Sequence, residues 1–182
     1  IFADIVAEDH RAAQVIRRLG VLFRRGDPSF EPIDLNELLR DTIELTRNLL
    51  TQRQATLETE FAADLPQVAG DRVQLQQLVL NLIVNGAEAV AGCPEASRVL
   101  QLRTEACEGH VRFCLTDRGP GISADALARM FEPFWTTKVD GMGMGLAICR
   151  SIAEAHRGSL TASNGPSGGA VFCLQLPALD VP

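Results

Sequence analysis

The sequence predicts an α/β fold, a two-layer sandwich in which helices cover one face of an open, mixed, mostly antiparallel sheet. Three observations lead there. After residue 34 the hydrophobic periodicity changes in the order helix, strand, helix, strands, helix, strands. One helix, from Asp71 to about Ala91, is apolar around most of its circumference and so must be largely buried. Two alternating runs, 98–106 and 110–116, are joined by Glu108-Gly109, a hairpin signal.

Residues 1–25 place Ile1, Ile5, Ala12, Val15, Ile16, Leu19, Leu22 and Phe23 close to one helical face, with Glu8, Asp9, Arg11, Arg17 and Arg18 outside it. Such an amphipathic helix needs a partner helix from upstream or from another chain. Gly26-Asp27-Pro28 stops it and Pro32 keeps the chain extended, so 26–34 reads as a linker. Asp34 then caps a second helix, with Glu37 three residues on, that runs to about Gln52. Ala55–Phe61 reads as a strand and Asp64-Leu65-Pro66 as a turn.

Asp71 caps the apolar helix, with Gln74 at its third position, and Gly92 and Pro94 end it. Gln74, Gln77, Asn81, Asn85 and Glu88 recur at spacings of three and four, drawing a narrow polar stripe along it. Buried polar groups cost a few kcal/mol each unless paired, roughly, so the stripe should face a ligand, water or another polar surface. The hairpin follows and delivers Asp117 at its end; Gly145–His156 is a helix closed by Arg157-Gly158, and 159–163 and 170–176 are strands.

Between Asp117 and Leu146 lies a long segment with a glycine pair after Asp117, a cluster of Phe131, Phe134 and Trp135, and a second glycine cluster at Gly141, Gly143 and Gly145. Loops of this length in a compact domain are functional or disordered, and the aromatic cluster needs a surface to pack on. The segment reads as a nucleotide lid, with the three aromatics as the latch that seats it. Its Lys138 is the single lysine of a chain that uses arginine at its other sixteen basic positions. A compact ammonium on a γ-phosphate is a task for which lysine suits better than arginine.

Composition sets outer bounds. With 182 residues, 46% of them hydrophobic, one domain with a real core is expected, plus a short appendage. A net charge of −6 without a basic run gives no electrostatic footprint for nucleic acid. Cys93, Cys107, Cys114, Cys149 and Cys173 are odd in number and contain no Cys-x-x-Cys pair. They argue against a disulfide framework and a zinc site, and read as buried thiols in a reducing, cytoplasmic compartment. No apolar run approaches the ~18 residues of a membrane span. The start at Ile1 without Met predicts a fragment, with sensing or anchoring segments upstream.

Four blocks in order resemble the ATP-binding domain of sensor histidine kinases. Asn81-Leu82-Ile83-Val84-Asn85 is similar to the family's N box, Asp117-x-Gly119-x-Gly121 to G1, Phe131-x-Pro133-Phe134 to the F box, and Gly141-x-Gly143-x-Gly145-Leu146 to G2, over roughly residues 71 to 176. Each block is weak alone; their order is what carries the resemblance. Thr136-Thr137-Lys138 and Glu154-Ala155-His156 look most like the nitrogen-regulation and oxygen-sensing branch.

The resemblance implies a Bergerat-type fold preceded by one helix of a dimerisation hairpin: 1–25 a partial dimerisation helix, 26–34 a linker, 35–178 the catalytic domain. It implies ATP and Mg²⁺ as cofactors, an upstream phosphoacceptor helix, a homodimer when full length, and a response-regulator receiver domain as partner. Asn85 can offer a side-chain carbonyl to Mg²⁺, and with Lys138 forms the expected catalytic pair. Asn81 can donate to phosphate, and ionised Asp117 suits the exocyclic amine of adenine. The expected ATP-contact set comprises Asn81, Asn85, Glu88 and Ala89 on the helix, Asp117, Gly119, Gly121 and Ile122 after the hairpin, and Phe134, Thr137, Lys138, Gly141, Met142, Gly143, Met144, Gly145 and Leu146 in the lid.

Competing nucleotide motifs fail: Leu146 stands where a dinucleotide fingerprint needs its third glycine, and no Lys-Ser/Thr follows for a Walker loop. His10 is followed by Arg11 and sits in what resembles the second hairpin helix, so the chain is expected to lack its own phosphoacceptor. Two alternatives stay open here. One is an ATP-gated conformational ATPase of the gyrase, mismatch-repair and chaperone type, with Glu88 on the same stripe as its base. The other is a degenerate domain that binds nucleotide only to regulate a partner.

Overall fold

The computed structural model describes residues 29–138, 141–166 and 168–179. The helix expected over 1–25, with His10, lies outside the described residues. Strand β1 (Glu31–Ile33) occupies part of the expected linker and pairs antiparallel with β3 (Val68–Gly70), where the sequence offered only a turn and a cap. Three-residue strands carry no readable period; burial of Ile33 and Val68 holds this pair. The folded unit therefore reaches upstream of residue 35, and the 26–34 linker is corrected at Glu31–Ile33.

Helix α1 (Leu35–Gln52) begins where expected, the Asp34 carboxylate accepting the Glu37 N–H at 3.1 Å. Its buried Asn36 is satisfied: Thr104 Oγ1 donates to Asn36 Oδ1 at 2.9 Å, and Asn36 Nδ2 donates to the Ala62 carbonyl at 2.9 Å. Helix α2 (Arg72–Val90) is capped by Asp71, whose Oδ1 accepts the N–H groups of Val73 and Gln74. Arg72 reaches back to Asp41 and Glu37 of α1. That pairing, first the Asp41 hydrogen bond and then the Glu37 charge, holds the guanidinium above its ordinary range.

The main sheet has the order β2-β4-β5-β7-β6, with β2 (Thr56–Glu60) parallel to β4 (Val99–Cys107) and the remaining pairs antiparallel. It is mixed and mostly antiparallel, as the sequence predicts. Strands β5 (His110–Asp117) and β7 (Ala170–Pro177) alternate strictly, burying Val111, Phe113, Leu115, Phe172, Leu174 and Leu176 on one face. Helix α2 packs on β4 and β5, and the last helix, described below, on β6 (Ser159–Asn164) and β7. Gly86 marks how closely α2 lies on the sheet, since a Cβ there would come within 2.9 Å of Leu100.

The opposite sheet face corrects the reading of the cysteines. Cys114 and Cys173, 59 residues apart in sequence, are directly opposed in the β5–β7 register with Cα atoms 4.2 Å apart, and they form a disulfide. Cys149 is buried as expected, whereas Cys93 and Cys107 are half-buried thiols. Spacing along the chain cannot reveal such a pair, because the strand register alone decides which residues are neighbours.

Candidate nucleotide site

The site is built at the end of the sheet to which β5 delivers Asp117. The N-terminus of helix α2 is tied to the end of the last helix, where the buried His156 accepts the Asp71 N–H on Nε2 at 2.9 Å. With Nε2 accepting, the ring proton sits on Nδ1 and is donated to the Ile152 carbonyl at 2.7 Å. Along the α2 stripe, Gln77 Oε1 and Asn81 Nδ2 are buried without a partner among the described residues. Native proteins rarely leave such groups unmet, so the stripe faces something the protein does not itself supply.

One turn on, Lys138 Nζ donates to Asn85 Oδ1 at 3.0 Å and also ion-pairs with Glu88 Oε2. Residues 50 and 53 positions apart are thereby joined, and the only lysine of the chain is placed on the stripe. Two oxygen donors with a cation upon them are a position that accepts positive charge. Their chemistry fits Mg²⁺, which prefers oxygen and takes one or two protein ligands beside waters and phosphates. Among the described residues no group of three or more His, Cys, Asp or Glu gathers that could hold a metal. Any ion here would rely on ligand oxygens for the rest of its shell.

Asp117 is 4% exposed, and its Oδ1 accepts two backbone N–H groups, from Gly119 at 2.8 Å and Ala170 at 3.2 Å. One carboxylate oxygen is thus fixed by the fold, which orients the other. Ala89 closes the gap between stripe and loop: a Cβ on Gly119 would lie 3.3 Å from its carbonyl. Gly121, at φ 79°, and Ile122 are pinned by Asn164 at the end of β6, which accepts the Ile122 N–H at 2.7 Å and donates to the Ile122 carbonyl at 2.8 Å.

The lid is more ordered than a loop. Ser123 caps a short helix, α3 (Ala124–Arg129), and helix α4 (Gly145–Ala155) resumes the core with Ile148 and Ile152. The latch is corrected at one aromatic. Phe131 and Trp135 pack on the core beside the buried Met130, with Arg150 over the Phe131 ring and Arg129 over the Trp135 ring. Phe134 is 76% exposed at φ 67° and seats nothing within the described residues. The chain turns sharply there and throws the ring outward.

The second glycine cluster has a packing reason that the sequence did not disclose. Gly143 lies at φ 65°, and a Cβ there would strike the Phe134–Trp135 backbone, 2.6 Å from the Trp135 nitrogen. Gly141 likewise abuts Thr136 and Lys138. These glycines let the two halves of the lid touch each other. Met142, Met144, Gly145 and Leu146 are half-buried behind them, Met144 and Leu146 against the core. Thr137 is exposed. The structure thus gathers Asn85, Glu88 and Lys138 at one point and Asp117, Gly119 and Ala89 at another, both beside the C-terminal part of α2. Sequence reasoning missed Asn164 and the Ala170 N–H, which act across 42 and 53 residues; Asn164-Gly165 reads locally as a turn and nothing more.

The profile of the family described as histidine kinase-, DNA gyrase B-, and HSP90-like ATPase matches residues 70–180. The sensor histidine kinase TmoS of Ectopseudomonas mendocina is 38% identical over 177 residues, 96% of this chain and 18% of that protein. The C4-dicarboxylate transport sensor protein DctS of Rhodobacter capsulatus is 38% identical over 176 residues, 97% of this chain and 27% of that protein. The chain therefore spans less than a third of the length of either relative. The solved catalytic domain of histidine kinase ThkA aligns at TM-score 0.72 and 29% identity, covering 82% of this chain and 95% of that one. With more than half of its length matched by the family profile, the chain belongs to the histidine kinase-, DNA gyrase B- and HSP90-like ATPases.

Proposed function

We propose that the domain binds ATP with Mg²⁺ and transfers the γ-phosphoryl group to a histidine on a helical dimerisation domain, from which a response-regulator aspartate receives it. The observation that carries this reading is the pairing of two poles beside one helix, α2. Asp117, oriented by the Gly119 and Ala170 amides, suits an adenine amine, and the Asn85–Glu88 position takes a cation where phosphates would lie. Solved full-length ShkA, in complex with AMPPNP, aligns at TM-score 0.73 and 30% identity over 86% of this chain and 32% of that one. That agrees with a nucleotide in this fold.

In this reading Asp117, Gly119 and Ile122 hold the base. The α4 amides and Gly145 face phosphate, and Asn81 Nδ2 donates to a phosphate oxygen. Asn85 and Glu88 would hold Mg²⁺, which when bound neutralises charge on the β- and γ-phosphate oxygens. The acceptor imidazole is the nucleophile: a P–N bond forms as the bond between the γ-phosphorus and the bridging oxygen breaks, and ADP leaves. The protein supplies position and charge stabilisation. Thr137, Met142, Met144 and the exposed Phe134 border the ligand as the lid settles, and Phe134 is free to meet the dimerisation helices instead.

Transfer in trans tests the reading. Incubated with radiolabelled ATP and a supplied acceptor-helix domain from a relative, the chain should label that domain while hydrolysing ATP slowly. Steady ATP hydrolysis abolished by Glu88→Ala, with no label transferred, would instead support the conformational ATPase, which the sensor-kinase relatives disfavour.

A further inference from the structure

We infer that Lys138 is an exchangeable cation: without nucleotide its ammonium holds the lid on Asn85 and Glu88, and the metal of incoming nucleotide must displace it from those same oxygens. The inference rests on the metal assignment proposed above and adds a competition to it. Its geometry is on hand. Lys138 Nζ contacts both Asn85 Oδ1 and Glu88 Oε2, one from each of two successive positions on the polar stripe. The backbone leading to it is fixed locally, the Lys138 N–H donating to Thr136 Oγ1 at 3.1 Å and its carbonyl accepting the Gly141 N–H at 3.1 Å. A Cβ on Gly141 would come within 3.0 Å of the Lys138 Cβ, so the turn leaves no room for a side chain there. The ammonium therefore sits at the end of a short, braced turn.

A surface ion pair by itself counts for little. Three features separate this one from an ordinary surface contact. Both partners are stripe residues beside the unpartnered Asn81 amide. The pair ties the lid to the stripe across 50 residues. And the cation is a compact ammonium with three donors, which can bridge two separate oxygens and be replaced there by another point charge; a planar guanidinium would bind one carboxylate as a fork. Once displaced, the same ammonium is at the mouth of the phosphate position and can turn to the γ-phosphate. A single side chain would then stabilise the lid in the empty state and the charge of the nucleotide in the filled one.

The chain offers an unusually clean assay, because a lysine-specific endoprotease has one site in it, after Lys138. In nucleotide-free protein, Glu88→Gln should be cut about threefold faster than the wild type, the factor corresponding to a partly exposed pair. Mn²⁺ binding to nucleotide-free protein, followed by electron paramagnetic resonance, should tighten by about the same factor in Lys138→Met, where no ammonium competes. Equal cutting of wild type and Glu88→Gln would overturn the inference, as would Mn²⁺ affinity unchanged or weakened in Lys138→Met. The metal measurement stands whatever Glu88→Gln does to stability. Calorimetric ADP binding separates the two layers of argument: ADP that fails to bind removes the nucleotide reading, whereas ADP that binds with both lysine experiments negative removes only the exchange.

Discussion

Asp117 shows how much one side chain does here. Its Oδ1 is committed to two backbone amides, so it both ties the loop to β7 and aims its second oxygen. Asp117→Asn keeps an oxygen for those amides and exchanges the outward acceptor for a donor amide. The expected outcome is a loss of about 1.5–3 kcal/mol in adenine nucleotide affinity, roughly 10- to 150-fold by calorimetry, with little change in melting temperature. A variant that bound ADP as the wild type does would end the adenine role for Asp117. Lys138 is the complementary case. Its composition singles it out, yet its partners, 50 and 53 residues away, are visible only in the fold.

At the scale of elements, the lid is two segments folded against each other and anchored by aromatics at one end only. Gly143 is where they meet. In Gly143→Ala, a residue at φ 65° bears a Cβ against the Phe134–Trp135 backbone, so the turn must open. A left-handed backbone alone costs about 1–2 kcal/mol for a non-glycine residue. Trp135 is the only tryptophan and half-buried, which makes it the reporter. Its emission should shift to the red and ADP affinity should fall severalfold, while the helix–sheet core melts within a few degrees of the wild type. Unchanged emission would mean that the two halves of the lid are not held together as described.

For the whole molecule, the Cys114–Cys173 disulfide joins strands β5 and β7, and everything from Asp117 through the lid, α4 and β6 lies in the loop it closes. With a sequence separation of 59 between the two cysteines, loop entropy gives a stabilisation of about 4 kcal/mol. Reduction should therefore lower the melting temperature by on the order of 10 °C. Thiol titration under denaturing conditions checks the premise: the oxidised protein shows Cys93, Cys107 and Cys149 only, and the reduced protein all five. Melting that ignored reductant, in protein whose thiol count rose, would show that the backbone pairing of β5 and β7 needs no cross-link.

The sequence by itself determined the α/β class, the capped helices α1 and α2, the hairpin of β4 and β5, and the polar stripe from Gln74 to Glu88. All of these rest on short-range chemistry: caps act over three residues, periodicity over ten or twenty, and a two-residue turn fixes its own hairpin. What only the tertiary structure decided is every pairing across distance: β1 with β3, Cys114 with Cys173, Asn164 with Ile122, Lys138 with Asn85 and Glu88, and the outward turn of Phe134. A one-residue change of strand register would exchange the buried and open faces and separate the two sulfurs without altering any local propensity. Such contacts are set by how the layers pack, which the order of residues along the chain does not state.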